Sequence, residues 1–167
     1  MKPNDLASMA RVPFPLDDVA GRVALVGCGK QKLEATGAVN AEDLYTGAYF
    51  KEVLAACKKK YDHVFILSAK YGIVALDAEI KTYDLMLPWS DRKPESLKAI
   101  NSFTLRCIHP MQRIPGGLWP LGSPIDIHAG RNYARWFPST TTSVKIRWAD
   151  WGSIGYRRQK YKELRND

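Results

Sequence analysis

Two short apolar runs of β-forming residues, Val23-Ala24-Leu25-Val26 and Val64-Phe65-Ile66-Leu67, bracket a stretch of helical periodicity. This spacing constrains the fold more than any other feature. Neither run alternates with polar residues, so each reads as a parallel strand covered on both faces, the first over residues 22–28. Between them, Leu44 to Tyr61 reads as a helix. Its apolar positions Tyr49, Phe50, Val53, Leu54 and Cys57 recur at intervals of three and four, and Lys58-Lys59-Lys60 sits at the negative end of the helix dipole. Strand, helix, strand is a βαβ unit, whose right-handed crossover brings both strand C-termini to one edge of the sheet. The loops Gly27-Cys28-Gly29-Lys30-Gln31-Lys32 and Ser68-Ala69-Lys70-Tyr71-Gly72 are therefore expected to be neighbours in space. In α/β proteins that edge is where ligands bind.

The rest of the chain continues the alternation. Thr82 to Leu87 reads as a short strand or extended loop, and Lys93 to Cys107 as a helix with Pro94 in its first turn. His109 to Pro124, with four prolines and three glycines, reads as a loop. Pro124 to His128 reads as a strand that passes through Ala129-Gly130-Arg131 into a helix from about Asn132 to Phe137. Ser143 to Trp148 is a further strand and Tyr156 to Leu164 a closing helix. The expected fold class is α/β: a single three-layer domain over residues 21–167, with a mostly parallel central sheet flanked by helices. Residues 1–20, with three prolines and little periodicity, are expected to form an extended N-terminal arm.

A chain of 167 residues can bury a sizeable core without disulfides. Cys28, Cys57 and Cys107 lie far apart and form no CxxC pair, which fits free thiols in a reducing cytoplasm. No apolar run approaches the ~20 residues needed to span a bilayer, so no membrane partner is expected. The formal charge of +8 is uneven, because the segment from Arg131 to Asp167 holds nine basic and three acidic residues. Tyr133, Trp136, Trp148, Trp151, Tyr156 and Tyr161 are interleaved with them. Mixed cations and aromatics suit phosphate attraction with base stacking, and equally suit a solvated helix packed by its aromatic residues. On the first reading Arg147, Arg157, Arg158 and Lys160 contact nucleic acid.

The chemistry-bearing residues gather at the expected sheet edge. Gly27, Gly29, Lys30 and Lys32 form a basic, glycine-containing loop without the spacing of a P-loop or a dinucleotide fingerprint. A thiol beside ammonium groups gains thiolate character, which makes Cys28 a candidate nucleophile; it also fits a small core residue. Ser68, Lys70, Tyr71 and Gly72 bring a hydroxyl, an ammonium, a phenol and a permissive backbone to the neighbouring strand end. Tyr83-Asp84 supplies an acid close to this cluster in sequence, a candidate base or nucleophile that could equally form an ion pair. Gly130 and Arg131 form a small basic turn at a helix start, suited to anions. His63, His109 and His128 are separated, so neither a metal nor another cofactor is expected.

In order, these pieces resemble the YaaA-like superfamily, in particular its small bacterial and phage members. The resemblance is carried by Gly27-Cys28-Gly29-Lys30-Gln31-Lys32, Leu44-Tyr45-Thr46, Ile66-Leu67-Ser68-Ala69-Lys70-Tyr71-Gly72, Tyr83-Asp84 and Ala129-Gly130-Arg131-Asn132-Tyr133, across residues 22–160. It implies an α/β fold and a nucleic-acid context, since YaaA-type proteins are linked to DNA binding and protection against peroxide damage. The Cys-x-x-Lys and Tyr-[Ser/Thr] parts are also similar to the archaeosine synthase core, which modifies a base in transfer RNA. The expected function is an enzyme acting on a nucleobase, nucleotide or nucleic acid (DNA before RNA), by transfer to a base or cleavage of an N-glycosidic bond. Cys28 or Asp84 would do the chemistry, Ser68 and Lys70 would position the reacting group, and Lys30, Lys32 and Arg131 would hold phosphate. Tyr45, Tyr71 and Tyr133 would stack on or hydrogen-bond a base or sugar. The alternative is a non-catalytic DNA- or RNA-binding protein of a stress or phage-related pathway.

Overall fold

The computed structural model describes residues 22–112, 124–138, 146–148 and 153–166. The expected arm over 1–20 and most of the expected loop after His109 lie outside them. In chain order the elements are β1 (Val23–Gly27), β2 (Val39–Asn40), α1 (Ala41–Leu44), α2 (Ala48–Lys60), β3 (His63–Ser68), β4 (Gly72–Ala75) and β5 (Glu79–Ile80). There follow α3 (Pro94–Gln112), β6 (Ile125–His128), α4 (Arg131–Trp136), β7 (Ile146–Trp148) and α5 (Ile154–Asn166).

The main sheet has five strands in the order β4-β3-β1-β6-β7. β1 pairs in parallel with β3 on one side and β6 on the other, and β6 pairs in parallel with β7. Only β4 is antiparallel, along β3 at the edge, so the sheet is mixed and mostly parallel. The central strand explains the apolar run from which the βαβ unit is read. Val23 to Val26 are all buried, and they divide by alternation between two clusters. Ala24 and Val26 pack with Phe50, Val53, Leu54 and Tyr161 of α2 and α5. Val23 and Leu25 pack with Phe103 and Cys107 of α3 and Tyr133 of α4. Removing such side chains from water is the main favourable contribution to this fold, at roughly 1.5–3 kcal/mol for each large aliphatic side chain.

Several boundaries differ from expectation. The stretch read as one helix, Leu44 to Tyr61, is split. The short α1 ends at Leu44, Tyr45 makes an isolated antiparallel bridge with Lys32, and α2 begins after Gly47, whose backbone is extended (φ −60°, ψ 133°). Of the two forms expected for Thr82 to Leu87 the chain takes the loop; β5 lies just before it and pairs with β2 in a separate small sheet. The helix read to Cys107 runs on to Gln112. Residues 68–72 are more than a strand end, because the chain reverses there into β4. Gly72 makes that reversal with φ 73°, and a Cβ on it would lie 2.6 Å from Arg106 Cβ of α3. Both its left-handed backbone and this close approach require glycine. Arg106 also donates a hydrogen bond to the Lys70 carbonyl, which ties the turn to α3.

Among the described residues no helix is long and apolar enough to cross a membrane.

Candidate active site

The loops after β1 and β6 leave the sheet at the same edge and diverge. The chain leaving β1 passes through β2 and α1 into α2, which covers one face, while the chain leaving β6 enters α4, which covers the other. Such a divergence between adjacent parallel strands opens a crevice at their carboxyl ends. Here it is a cleft of about 550 Å³. Its walls are Gly27 to Gln31 after β1, Gly47 to Phe50 and Val53 of α2, His128 to Gly130 and Tyr133 after β6, and Ile154 and Arg157 of α5. The two loops touch at the base, where a Cβ on Gly27 would lie 2.7 Å from Ala129 Cβ. Gly27 is thus needed for close packing of the two strand ends.

Cys28 sits at this junction. Its amide donates to the Leu67 carbonyl at 3.0 Å, which extends the β1–β3 pairing by one residue and fixes the thiol. The sulfur meets phenols rather than ammonium groups: Tyr133 Oη lies at 2.8 Å, and Tyr83 Oη donates to it at 3.5 Å. Tyr83 Oη also meets Ser68 Oγ at 2.8 Å and Tyr45 Oη at 2.9 Å. Since a phenol has one proton, which Tyr83 directs to the sulfur, the Ser68 and Tyr45 hydroxyls donate to Tyr83. Ser68 Oγ in turn accepts the Tyr71 amide at 3.1 Å. A thiol and four hydroxyls, drawn from five separate places in the sequence, thus form one connected group.

Burial pushes the Tyr45, Tyr83 and Tyr133 phenols well above their ordinary value, and the neighbouring Cys28 sulfur pushes them further. All three are protonated at neutral pH and serve as donors. Burial likewise raises Tyr61 and Tyr161. In the unfolded chain these phenols ionise near pH 10, while the folded chain keeps their protons, so stability falls as pH rises past that value. Below it this contribution is flat. The urea midpoint is expected to drop between about pH 9 and about pH 11, and an unchanged midpoint would contradict the assignment.

Beneath the cleft lies a second polar group that the sequence reading missed. Asp126, fully buried in β6, accepts two hydrogen bonds from Arg22, at 3.0 and 2.8 Å, and one from Tyr61 Oη at 3.1 Å. His128, two residues on along the same face, places Nε2 2.9 Å from Tyr61 Oη and Nδ1 2.8 Å from Tyr161 Oη. Because Tyr61 donates to the carboxylate, Nε2 of a neutral imidazole carries the proton and Nδ1 accepts from Tyr161. The signal in the sequence was the Asp126-x-His128 alternation inside an otherwise apolar strand.

A family model described as a family of unknown function (DUF6884) matches residues 23–163, which include every wall of the cleft. The chain belongs to this family. No curated protein matches it.

In this DUF6884 chain, Gly27, Cys28, Gly29, Lys30, Gly130 and Tyr133 line the cleft. Tyr45, Ser68 and Tyr83 join it through the hydroxyl group around Cys28. Lys32 and Lys70 lie over the Tyr83 ring, and Tyr71 meets that ring edge-on. Gly72 lies against α3. Asp84 and Arg131 are exposed and outside the cleft walls. The expected nucleic-acid residues separate. Arg157 faces the cleft, whereas Arg158 makes a bidentate pair with Glu52 of α2 and Lys160 pairs with Glu163 of its own helix. The Arg158 guanidinium holds the Glu52 carboxyl below its ordinary range. Arg147 lies in β7, and its side chain is outside the described residues. Tyr49, Phe50, His128 and Ile154 are wall residues that the sequence reading did not assign.

Proposed function

We propose that this chain is an enzyme acting on a nucleobase, nucleotide or nucleic acid, with the cleft as its active site. One observation carries the reading: a cysteine, fixed by two phenols, lies at a parallel-strand crevice that also holds Lys30 and Arg157. The first turn of α2 has no acidic residue and no side-chain cap, so its amides are open to an anion. Lys30, Arg157 and these amides hold a phosphate, while the half-buried Tyr49 provides aromatic surface for a base. Both proposed reactions share a first step. The Cys28 sulfur bonds to C1′ of the sugar, the C1′–N bond breaks, and the thiol proton passes through a neighbouring phenol to the leaving base. Water then displaces the sulfur in hydrolysis, or a second base displaces it in transfer. Asp84 is less suited to this role, being outside the cleft.

The ordered motifs shared with YaaA-like proteins favour membership of that superfamily, and the helix-lined clusters on both faces of β1 support a three-layer arrangement. Pairing of Arg158 with Glu52 and of Lys160 with Glu163 favours the cleft over a basic binding tail. The test is calorimetric titration of nucleoside 5′-monophosphates. Arg157→Ala is expected to weaken binding about 10- to 100-fold, the scale of one charge-assisted contact, with Arg158→Ala and Lys160→Ala unchanged. No nucleotide binding, or steeply salt-dependent DNA binding lost with Arg158 and Lys160, would replace this reading with the non-catalytic one.

A further inference from the structure

Lys32 and Lys70 reach the same aromatic ring from separate loops. Lys32 is held by its bridge to Tyr45, with the Leu33 amide on the Leu44 carbonyl at 2.7 Å and the Thr46 amide on the Gln31 carbonyl at 3.1 Å. Lys70 is held by the turn that Arg106 fastens to α3. Lys32 Nζ lies 4.4 Å from the centroid of Tyr83, and Lys70 Nζ lies 5.7 Å from it and 5.2 Å from that of Tyr71. Both side chains are half-buried. Among the described residues neither ammonium forms an ion pair; Lys32 donates to the Lys30 carbonyl at 3.3 Å. Asp84, next to Tyr83, reaches neither of them. Two half-buried lysines around one ring, met by aromatic faces and one carbonyl but by no carboxylate, leave charge for an anion to neutralise.

Neither lysine belongs to the cleft walls. The two places are joined through Cys28, whose sulfur bonds Tyr133 on the cleft side and Tyr83 on the lysine side. We infer that Lys32 and Lys70 bind a second phosphate group, on the Tyr83 side of Cys28, separate from the phosphate held by Lys30 and Arg157. Building on the proposed nucleotide chemistry, this narrows the substrate class. A nucleotide with phosphate on both sides of its sugar fills both positions and sets the sugar between them, near the sulfur. That is a unit of a nucleic-acid strand, represented in free form by a nucleoside 3′,5′-bisphosphate.

The test compares deoxynucleoside 5′-monophosphates with the corresponding 3′,5′-bisphosphates by calorimetry on the full chain. The bisphosphate is expected to bind at least about 10-fold more tightly. The Lys32→Gln/Lys70→Gln double variant removes that advantage and leaves monophosphate affinity within about twofold, while the Lys32→Arg/Lys70→Arg variant retains it. Equal affinities in the parent chain, or an advantage that survives the Gln substitutions, would overturn the inference. If no nucleotide binds, crystals grown with inorganic phosphate decide separately. Phosphate between Lys32 and Lys70 upholds the second anion position though the nucleotide reading falls, and its absence overturns both.

Discussion

Replacing Asp126 by alanine is expected to destabilise the fold by about 3–5 kcal/mol, read as a lowered urea midpoint at unchanged slope. The effect is large because the substitution leaves the guanidinium of Arg22, a residue only 7% exposed, without its bidentate partner. Tyr61 loses its acceptor in the same step. The pair itself contributes little net stability, since desolvating both ions offsets most of their attraction. The Arg22→Met/Asp126→Leu double variant is therefore expected to recover most of the loss. A single variant within about 1 kcal/mol of the parent would show that the Arg22 charge has another partner or a route to water. The carboxylate also orders Tyr61, and through it His128 at the cleft, so this buried ion pair helps to position the site.

The second large effect falls on chemistry rather than stability. Cys28→Ala is expected to lower base release or base exchange at least about 10³-fold, the scale of losing a covalent nucleophile, while nucleotide affinity stays within about threefold. Asp84→Asn is expected to leave both unchanged, because Asp84 lies outside the cleft walls. The proposed intermediate adds the sugar phosphate to Cys28, a mass increase visible in the intact protein after a single-turnover quench. Full turnover in Cys28→Ala would remove the sulfur from the mechanism, and loss of turnover in Asp84→Asn would bring that carboxylate into it.

The parts of this fold that are legible in the sequence are those fixed by local pattern. β1 and β3 are continuous apolar runs because both of their faces are covered, and the helix between them shows its buried side at Phe50, Val53, Leu54 and Cys57. From these alone follows the meeting of Cys28 with the 68–72 turn. What was not legible depends on distant partners. Asp126 looks misplaced in an apolar strand until Arg22, 104 residues away, is brought to it. The two-residue pairing of β2 with β5 is too short to carry any pattern. The break at Tyr45 is hidden because its side chain continues the apolar face while its backbone bridges to Lys32.

The basic C-terminal segment shows why charge count alone misleads. Arg157 and Arg158 are adjacent in sequence but about 100° apart around a helix, so one enters the cleft and the other meets Glu52. Composition cannot tell them apart. The site therefore contains a cation that the sequence assigned to an exposed nucleic-acid surface, and excludes the one carboxylate it had favoured for catalysis.

In the proposed reaction the crevice between β1 and β6 holds the substrate with its reacting carbon at Cys28. Crystals soaked with a deoxynucleoside 5′-monophosphate test it most directly. The expected density has the phosphate between Lys30, Arg157 and the first turn of α2, with C1′ about 3–3.5 Å from the sulfur. A nucleotide bound on the outer side of α5, or a cleft that stays empty at saturating concentration, would contradict it.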